Sequence, residues 1–387
     1  IGSDPTPSIR REIIFAQGDS LGSGSARIVI LLGNKTTAGS ETVETLTTQI
    51  LGDQDVRDRF GARSEIYQGW RTYSTIDTNA TIYAYPVTEA GAASTFTLTF
   101  AAGAATDTTT MDITWGGLTT SFSVASGDTA IVQAAAYAAA VNSADSGSWP
   151  FTAAIGGGGS EHIVTVTSAN TGTRAPLSTA RLLATYRKSV GTTATKSALA
   201  GGTTEDDFTT AYATIANAGV YYYQVTAKTA TSAPTSTDNG LGEHAAAITT
   251  QALPVNGKDQ CVIAGLVGTN AQAITVATAI NNPLAFLFWA ETSPWTPFML
   301  AAHHAAVMRV QQALHPSANL TGYTNNAAKG TIYTVPAPLL KTDYPTSTEI
   351  KAALNGGVSP IEFSALGVSK LVRQVTSYSL LAGTATN

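Results

Sequence analysis

The sequence predicts an α/β (α+β) protein in which a discontinuous mixed-sheet core domain is interrupted by an inserted all-β domain. An apolar run at 27–32, RIVILL, is typical of a buried strand. Residues 90–176 are rich in Thr, Ser and Gly and alternate apolar with polar positions, as half-buried strands do. Beyond Gly201, apolar strands alternate with helices, a pattern typical of βαβ units in a sheet covered on both faces.

The first part of the core domain is expected at residues 27–88. After the strand RIVILL, residues 42–51 are compatible with a short helix. A second helix is predicted around 66–73, and TIYAYPV at 81–87 is predicted to be the next strand.

The inserted β-rich outer domain is expected at residues 89–177. Its predicted strands contain FTLTF, MDITW, TTSFSV and HIVTVTS, with one helix at 129–141. Short strands separated by frequent turn signals suggest a small sandwich or barrel. GGGGS at 156–160 is predicted to be a hairpin loop. Because the chain would leave and re-enter the core near Val87 and Leu177, we expect this domain to be dispensable for the core fold.

The second part of the core domain is expected at 178–381. It ends with a helix stopped at Asn355 by Gly356-Gly357, followed by strands at 361–366 and 370–380. The predicted helices and strands between these limits lie at 208–218, 220–226, 243–253, 260–267, 271–280, 284–289, 297–314 and 348–354. Residues 1–26 are expected to form an N-terminal arm, because a strand-like apolar run at 11–16 precedes a Gly-rich link at 17–25. Residues 382–387 are expected to be the start of a truncated C-terminal arm, since the chain stops directly after a predicted strand.

Composition excludes several classes of partner. The net charge is -5, the pI is near 5.5, and no run of basic residues occurs, so direct binding to nucleic acid is not expected. The longest apolar runs fall short of the roughly 18 residues of a spanning helix, so membrane insertion is not expected. The single cysteine, Cys261, lies in an apolar run, is expected to be buried, and fits a reducing compartment.

The sequence predicts no catalytic, cofactor-binding or metal site. His303 and His304 are neighbours on a predicted helix and point about 100° apart, so they are predicted to be core or interface residues rather than shared metal ligands. No glycine-rich nucleotide motif occurs. The acidic residues at 53–58 and at 205–207 are interpreted as solvated groups at helix starts.

The segment from Asn355 to Leu380 resembles the last part of the core domain in contractile phage tail sheath proteins, the Mu-like group especially. In that family a helix leads into "nGis", a strand, a turn and "v-R-x-i-T-T-y". The counterparts here are Asn355, Gly356, Gly357, Val358, Ser359, Gly367, Val372, Arg373, Val375, Thr376, Ser377 and Tyr378. Further similar elements are Phe60, Gly61 and Ser64, the stretch after Gly201-Gly202, and the break at Asn281-Asn282-Pro283.

This resemblance implies a structural subunit without enzymatic activity or a cofactor. Sheath proteins form stacked hexameric rings in a helical sheath around an inner tail tube protein, and they meet baseplate and tail terminator proteins. The expected location is the virion tail, assembled in the bacterial host cytoplasm. Contraction of the sheath drives the tube through the host envelope.

Unpaired strands near the two chain ends are the predicted subunit interface, because such strands are templates for pairing with another chain. The candidate interface residues are Ile13, Ile14, Phe15, Arg373, Val375, Ser377, Tyr378 and Leu380.

Two other interpretations stay open on the sequence. One is the sheath of a tailocin or another contractile injection system. The other, from a different class, is a secreted or surface β-rich binding module joined to an α/β enzyme domain, which would account for the Thr/Ser/Gly-rich insertion.

Overall fold

The computed structural model describes residues 28–172, 182–218, 221–229, 240–258, 260–291, 293–314, 331–338 and 340–377. The helices are α1 (Asp53–Phe60), α2 (Glu65–Ser74), α3 (Ala130–Ser143), α4 (Thr209–Ala218), α5 (Leu241–Gln251), α6 (Asn270–Ile280), α7 (Pro297–Leu314) and α8 (Ser347–Asn355). The strands are β1 (Val29–Asn34), β2 (Ile82–Val87), β3 (Ala93–Phe100), β4 (Thr109–Trp115), β5 (Leu118–Val124), β6 (Phe151–Ile155), β7 (Ile163–Thr171), β8 (Leu182–Tyr186), β9 (Ala194–Lys196), β10 (Tyr223–Thr229), β11 (Cys261–Val267), β12 (Ala285–Trp289), β13 (Ile332–Tyr333), β14 (Ser359–Phe363) and β15 (Ser369–Leu371).

One mixed sheet forms the core domain, in the order β13-β15-β14-β12-β11-β10-β1-β2. The strands from β2 to β14 run parallel, whereas β15 is antiparallel to both β14 and β13. Val29 of β1 lies opposite Ile82 of β2 on one side and Tyr223 of β10 on the other. Since β2 precedes the β-rich insertion and β10 follows it, the sheet is discontinuous in sequence, which confirms the predicted fold class.

Helices cover both faces of this sheet. The side formed by α1, α2 and α7 contributes Phe60, Ile66 and Phe298 to one apolar cluster. The side formed by α4, α5, α6 and α8 contributes Phe208 and Leu241 to another. Strands between two helical layers have no solvated face, which explains why β12 is apolar and buried along its whole length.

The inserted module contains two antiparallel sheets that share an apolar core with α3. Their strand orders are β6-β7-β3-β9 and β5-β4-β8. β3 and β7 alternate buried with partly exposed residues along their length, as the sequence predicts. Gly156 to Ser160 lies in the hairpin between β6 and β7, where the Gly156 N–H donates to Ile163 O at 2.8 Å, so the predicted loop is confirmed.

The module extends further along the chain than the domain limit at residue 177 implies. β8 pairs with β4 and β9 pairs with β3, although both strands follow that limit. The apolar core of the module is also continuous with the start of α7, because Trp115 and Trp149 belong to the same buried cluster as Trp295 and Met299. Removal of the module would therefore expose aromatic and thioether side chains of the core domain.

The expectation of a short helix at 42–51 is wrong. Residues 44–50 instead run along the free side of β2 without regular secondary structure: Glu44 N–H donates to Pro86 O at 2.8 Å and Ile50 N–H donates to Ile82 O at 2.8 Å. Thr47 Oγ1 accepts from Ala84 N at 3.0 Å and donates to Ala84 O at 2.9 Å. The edge strand offers these Thr-rich residues backbone hydrogen bonds, which outweigh their weak helix propensity.

The expected strand at 370–380 is shorter in the structure. β15 ends at Leu371, residues 372–377 have no regular strand structure, and residues beyond 377 lie outside the described part of the chain. The helix stop before it is confirmed: α8 ends at Asn355 and Gly357 has φ +81°. A Cβ at Gly357 would lie 2.8 Å from Ser377 O, so glycine also allows segment 372–377 to pack closely here.

Candidate subunit interface

The two edges of the core sheet differ in how they are covered. The β2 edge is covered by residues 44–50 of the same chain. At the opposite edge lies β13, with only two residues, and its pairing to β15 places Ile332 opposite Lys370. Among the described residues no strand pairs with the outer side of β13. We call β13, β15 and the turn at residues 364–368 the open edge.

Apolar side chains are exposed around the open edge. Ile332 is 70% exposed and Leu366, in the turn, is 92% exposed, while Val368 and Leu340 are also exposed. This turn lies against the segment that carries Leu340, since a Cβ at Gly367 would lie 3.4 Å from Ala337 Cβ. Exposed apolar residues beside unpaired backbone groups are typical of a surface that pairs with another chain.

Three of the predicted interface residues lie in the described part of segment 372–377. Arg373 and Val375 are half-buried and Ser377 is buried. The other candidates, Ile13, Ile14, Phe15, Tyr378 and Leu380, lie outside the described residues.

Segment 372–377 is held against the core by two serines. Ser377 Oγ accepts from Asn282 N at 2.9 Å and donates to Asn282 O at 3.0 Å, and Ser377 N–H donates to Ala285 O at 2.8 Å. Ser359 Oγ bonds both backbone groups of Val375, at 2.9 and 3.1 Å. Side chains thus supply hydrogen bonds that strand pairing would otherwise make, and they fix segment 372–377 against the core.

A buried polar cluster that the sequence did not predict joins the module to the core domain. Asp206 is fully buried; its Oδ2 accepts from Asn34 Nδ2 at 2.8 Å and its Oδ1 accepts from Ala90 N at 2.6 Å. Glu65 Oε2 accepts from Asn34 N at 3.0 Å, and Glu65 N–H donates to Asn170 Oδ1 at 3.1 Å. We call Asn34, Glu65, Glu89, Asn170 and Asp206 the polar junction.

The interpretation of Asp206 as a solvated residue at a helix start is therefore wrong. The sequence EDDF does not indicate which of its acidic residues is buried. The hydrogen-bond partners of Asp206 lie far along the chain, at the end of β1 and beyond β2. Within the junction, burial raises the pKa of Glu89, and the nearby charge of Asp206 raises it further, against hydrogen bonds from Asn170 and Asn34. By contrast, Asp53 and Asp55 do lie in the first turn of a helix, as predicted.

Replacing Asp206 with alanine is expected to lower the free energy of unfolding by about 3 kcal/mol, because it leaves two donors, Asn34 Nδ2 and the Ala90 N–H, without their carboxylate. Asp207→Ala is the matched control: Asp207 is exposed and accepts only from Thr209 N at 2.8 Å, so about 1 kcal/mol or less is expected. Urea unfolding at pH 7.5 measures both. Equal losses in the two variants would show that the polar junction does not join module and core.

His244, His303 and His304 are buried in the described part of the core domain, which agrees with the prediction of core or interface residues for His303 and His304. His304 Nδ1 lies 2.7 Å from Tyr333 Oη and its ring stacks on Phe288 at 4.4 Å. Burial lowers the pKa of His244, His303 and His304 to about 3 in each case. In the described ranges, no three His, Cys, Asp or Glu side chains are arranged to hold a metal ion.

Two further expectations concern the burial of Cys261 and the length and hydropathy of the helices. Cys261 is buried and unbridged, with its Sγ 3.4 Å from Tyr222 O, as predicted for a small core residue. Among the helices of the described residues, none has both the length and the apolar character needed to cross a bilayer.

Comparison with solved structures finds proteins that are similar to this chain. No protein-family model matches the chain, and no curated protein matches it. A sheath tail protein from Desulfitobacterium hafniense is 12% identical with a TM-score of 0.42, over 92% of this chain and 72% of that one. A sheath tail protein from Listeria innocua is 12% identical with a TM-score of 0.38, over 92% of this chain and 70% of that one. Both are named for the family that the sequence motifs resemble, and both are too distant to carry an assignment of function.

Proposed function

We propose that this chain is a structural subunit of a contractile tail sheath. Subunits polymerise as stacked hexameric rings around an inner tube, and a collective change of packing drives the tube through the host envelope. The observation that carries the proposal is the difference between the two sheet edges: one is covered by the chain itself, whereas the other presents β13 and exposed apolar side chains.

The open edge supports assembly by strand addition. A strand from another copy would pair with the free backbone groups of β13 and cover Ile332, Leu366 and Val368. The opposite edge cannot pair in this way while residues 44–50 cover it. Since a chain with one available edge and one donated strand forms directional contacts between neighbours, growth gives rings or helical arrays rather than irregular aggregates.

The same arrangement supports linked movement of subunits. Segment 372–377 is fixed to the core by Ser359 and Ser377, so the chain beyond it would leave from a defined point. A strand donated from that point keeps two subunits connected while the core domains change their packing, and two packings of unequal free energy then give a bistable lattice. The module, joined through the polar junction, would move with its core domain as one body.

In this proposal no residue performs catalysis. The proposed partners are the proteins of the inner tube, the baseplate and the tail terminator. The proposed location is the virion tail, and assembly is proposed to take place in the bacterial host cytoplasm. A tailocin sheath would use the same mechanics.

Replacing Ile332 with lysine is expected to raise the protein concentration needed for polymerisation of the whole gene product by about tenfold or more, because a charged side chain on an edge strand opposes pairing with another strand. The control is Val255→Lys, on an 86% exposed residue after α5 and away from the open edge. Sedimentation of the polymer measures both variants. Polymerisation that is unchanged in Ile332→Lys, or equally impaired in the control, contradicts strand addition at the open edge.

A further inference from the structure

The strand β5 forms one edge of a three-stranded sheet in the inserted module, in the order β5-β4-β8. It has the sequence LTTSFSV and pairs with β4 at every position without a break in register. On its outer side no other described strand pairs with it, and no other described segment bonds its backbone. With seven residues, β5 is the longest edge strand of the module in the described part of the chain.

The hairpin between β4 and β5 determines which backbone groups of β5 face outward. The two glycines of its two-residue turn have φ of +59° and +84°, so Trp115 and Leu118 are the first hydrogen-bonded pair. Bonded and non-bonded pairs alternate from there. On the other side of β4, Thr110 O accepts from Arg187 N at 3.0 Å, which agrees with this alternation. The residues whose N–H and C=O groups face outward are Thr119, Ser121 and Ser123.

Other edge strands of the module are protected against pairing, whereas β5 is not. On the outer side of β6, Asn142 bonds both backbone groups of Ala153, at 2.8 and 3.0 Å. Two basic residues, at 187–188, directly follow β8, and β9 ends in Lys196. Charged side chains, prolines and bulges commonly keep edge strands from pairing with another chain. Since β5 has none of the three, its edge is available to a partner strand.

The sequence of β5 is complementary to a second copy of itself. Antiparallel pairing about a two-fold axis at Ser121 places this residue opposite its own counterpart, and Thr119 opposite Ser123 of the second copy. These side chains are small and exposed, so they leave room for a neighbouring strand. In a contact between identical strands a charge lies near the same charge of the other copy, and β5 carries no charge.

The opposite face of β5 supplies apolar contacts in the same register. The facing pairs would be Leu118 with Val124 and Thr120 with Phe122. Further exposed apolar side chains lie on the helix that packs against β5: Ile131 is 52% exposed and Val132 is 48% exposed, both in the first turn of α3. Exposed apolar groups near unpaired backbone groups are typical of a surface that pairs with another chain.

We propose that β5 is a homotypic interface, at which two copies of the chain pair their β5 strands antiparallel about a two-fold axis at Ser121. The two three-stranded sheets then form one continuous sheet. Such a contact is isologous and closes as a dimer, unlike the directional contact proposed for the open edge. It lies on the inserted module and uses neither β13 nor segment 372–377, so it does not depend on the proposed function.

Sedimentation equilibrium of the whole gene product tests the dimer. Every sample carries Ile332→Lys, so that association through the open edge is suppressed. We expect reversible association of monomers into dimers with a Kd of about 10 to 100 µM, since one short strand pair buries less area than a stable interface. A chain that remains monomeric at about 0.5 mM overturns the proposal.

Charged variants of Ser121 test whether the strand meets itself. Ser121→Lys and Ser121→Glu each place like charges at the axis, and each is expected to raise the Kd by about tenfold or more. An equimolar mixture pairs Lys with Glu and is expected to restore dimers. The matched control is Thr152→Lys, on an exposed residue of the edge strand β6, which is expected to leave the Kd unchanged. Equal effects of Ser121→Lys and Thr152→Lys, or a mixture that stays monomeric, overturns the proposal.

Cysteine variants test the register. In the proposed pairing the two Ser121 Cα atoms lie about 5.5 Å apart, within the reach of a disulfide, whereas the two Ser123 Cα atoms lie about 14 Å apart. Mild oxidation is therefore expected to cross-link Ser121→Cys and not Ser123→Cys, and the native Cys261 is buried. Far-ultraviolet circular dichroism shows that each variant is folded. Equal cross-linking of the two variants, or none in either, overturns the two-fold pairing at Ser121.

Discussion

Lowering the pH from 7.5 to 5.5 is expected to reduce the free energy of unfolding by about 4 kcal/mol through three buried histidines alone. Burial lowers the folded-state pKa of His244, His303 and His304 to about 3, whereas the unfolded value is near 6.5. Between these two values the unfolded chain binds protons that the folded chain excludes, so stability falls as the pH drops through about 6.5. At one pH unit below 6.5, each histidine costs between about 1 and 2 kcal/mol.

The surroundings of these histidines explain why protonation opposes the fold. His244 contacts Gln224 Oε1 and stacks on Tyr212 at 4.1 Å, and His303 accepts from Thr334 N at 3.4 Å. In each of the three histidines one ring nitrogen has no hydrogen-bond partner among the described residues. These atoms are His244 Nδ1, His303 Nδ1 and His304 Nε2. A proton added there would create a buried charge without a compensating carboxylate.

Urea unfolding at both pH values measures the effect, and single histidine variants assign it. His304→Gln is expected to be less stable than the wild type at pH 7.5 and to lose about 1 to 2 kcal/mol less on acidification. His244→Gln and His303→Gln are each expected to reduce the loss on acidification in the same way. A wild-type protein with the same stability at both pH values would contradict burial of all three side chains as neutral groups.

Replacing Gly265 with alanine is expected to cost more than about 3 kcal/mol of unfolding free energy. Gly265 lies in β11, beneath the start of α7, and a Cβ there would be 1.7 Å from Pro297 O and 3.1 Å from Ala301 N. Both atoms belong to helix backbone, so relief requires α7 to move away from the sheet rather than one side chain to turn.

Gly52→Ala is the matched control for that substitution. No heavy atom lies within 4 Å of a Cβ at Gly52, and its φ of 162° is extended backbone that alanine adopts. Its stability is expected to change by less than about 1 kcal/mol. Thermal unfolding of both variants decides the comparison, and a Gly265→Ala protein as stable as Gly52→Ala would show that α7 does not pack against β11 this closely.

The periodic parts of the fold were predictable from the sequence because single segments determine them. β12 is apolar at every position and α7 begins at Pro297, a residue suited to the first helical turn, so both elements lie where the pattern places them. The discontinuity of the sheet followed from the abrupt change of composition after Thr88. These patterns come from residues that are close in the chain and do not depend on contacts with distant residues.

The features that sequence reasoning missed depend on partners far along the chain. Residues 44–50 lie along the free side of β2 because its backbone groups are available there for hydrogen bonds. Asp206 is buried because Asn34 and Ala90 donate to it across the fold. No local pattern indicates such distant contacts. The interface candidates Arg373 and Val375 rest on a predicted unpaired strand near the chain end, and they stay predictions.

Electron microscopy of the whole gene product, purified and concentrated, tests the central claim of polymerisation through the open edge most directly. We expect tubes built of stacked six-fold rings, and we expect the Ile332→Lys variant to give no tubes at concentrations where Val255→Lys forms them. A protein that stays monomeric at every concentration, or tubes that Ile332→Lys leaves intact, would contradict the account.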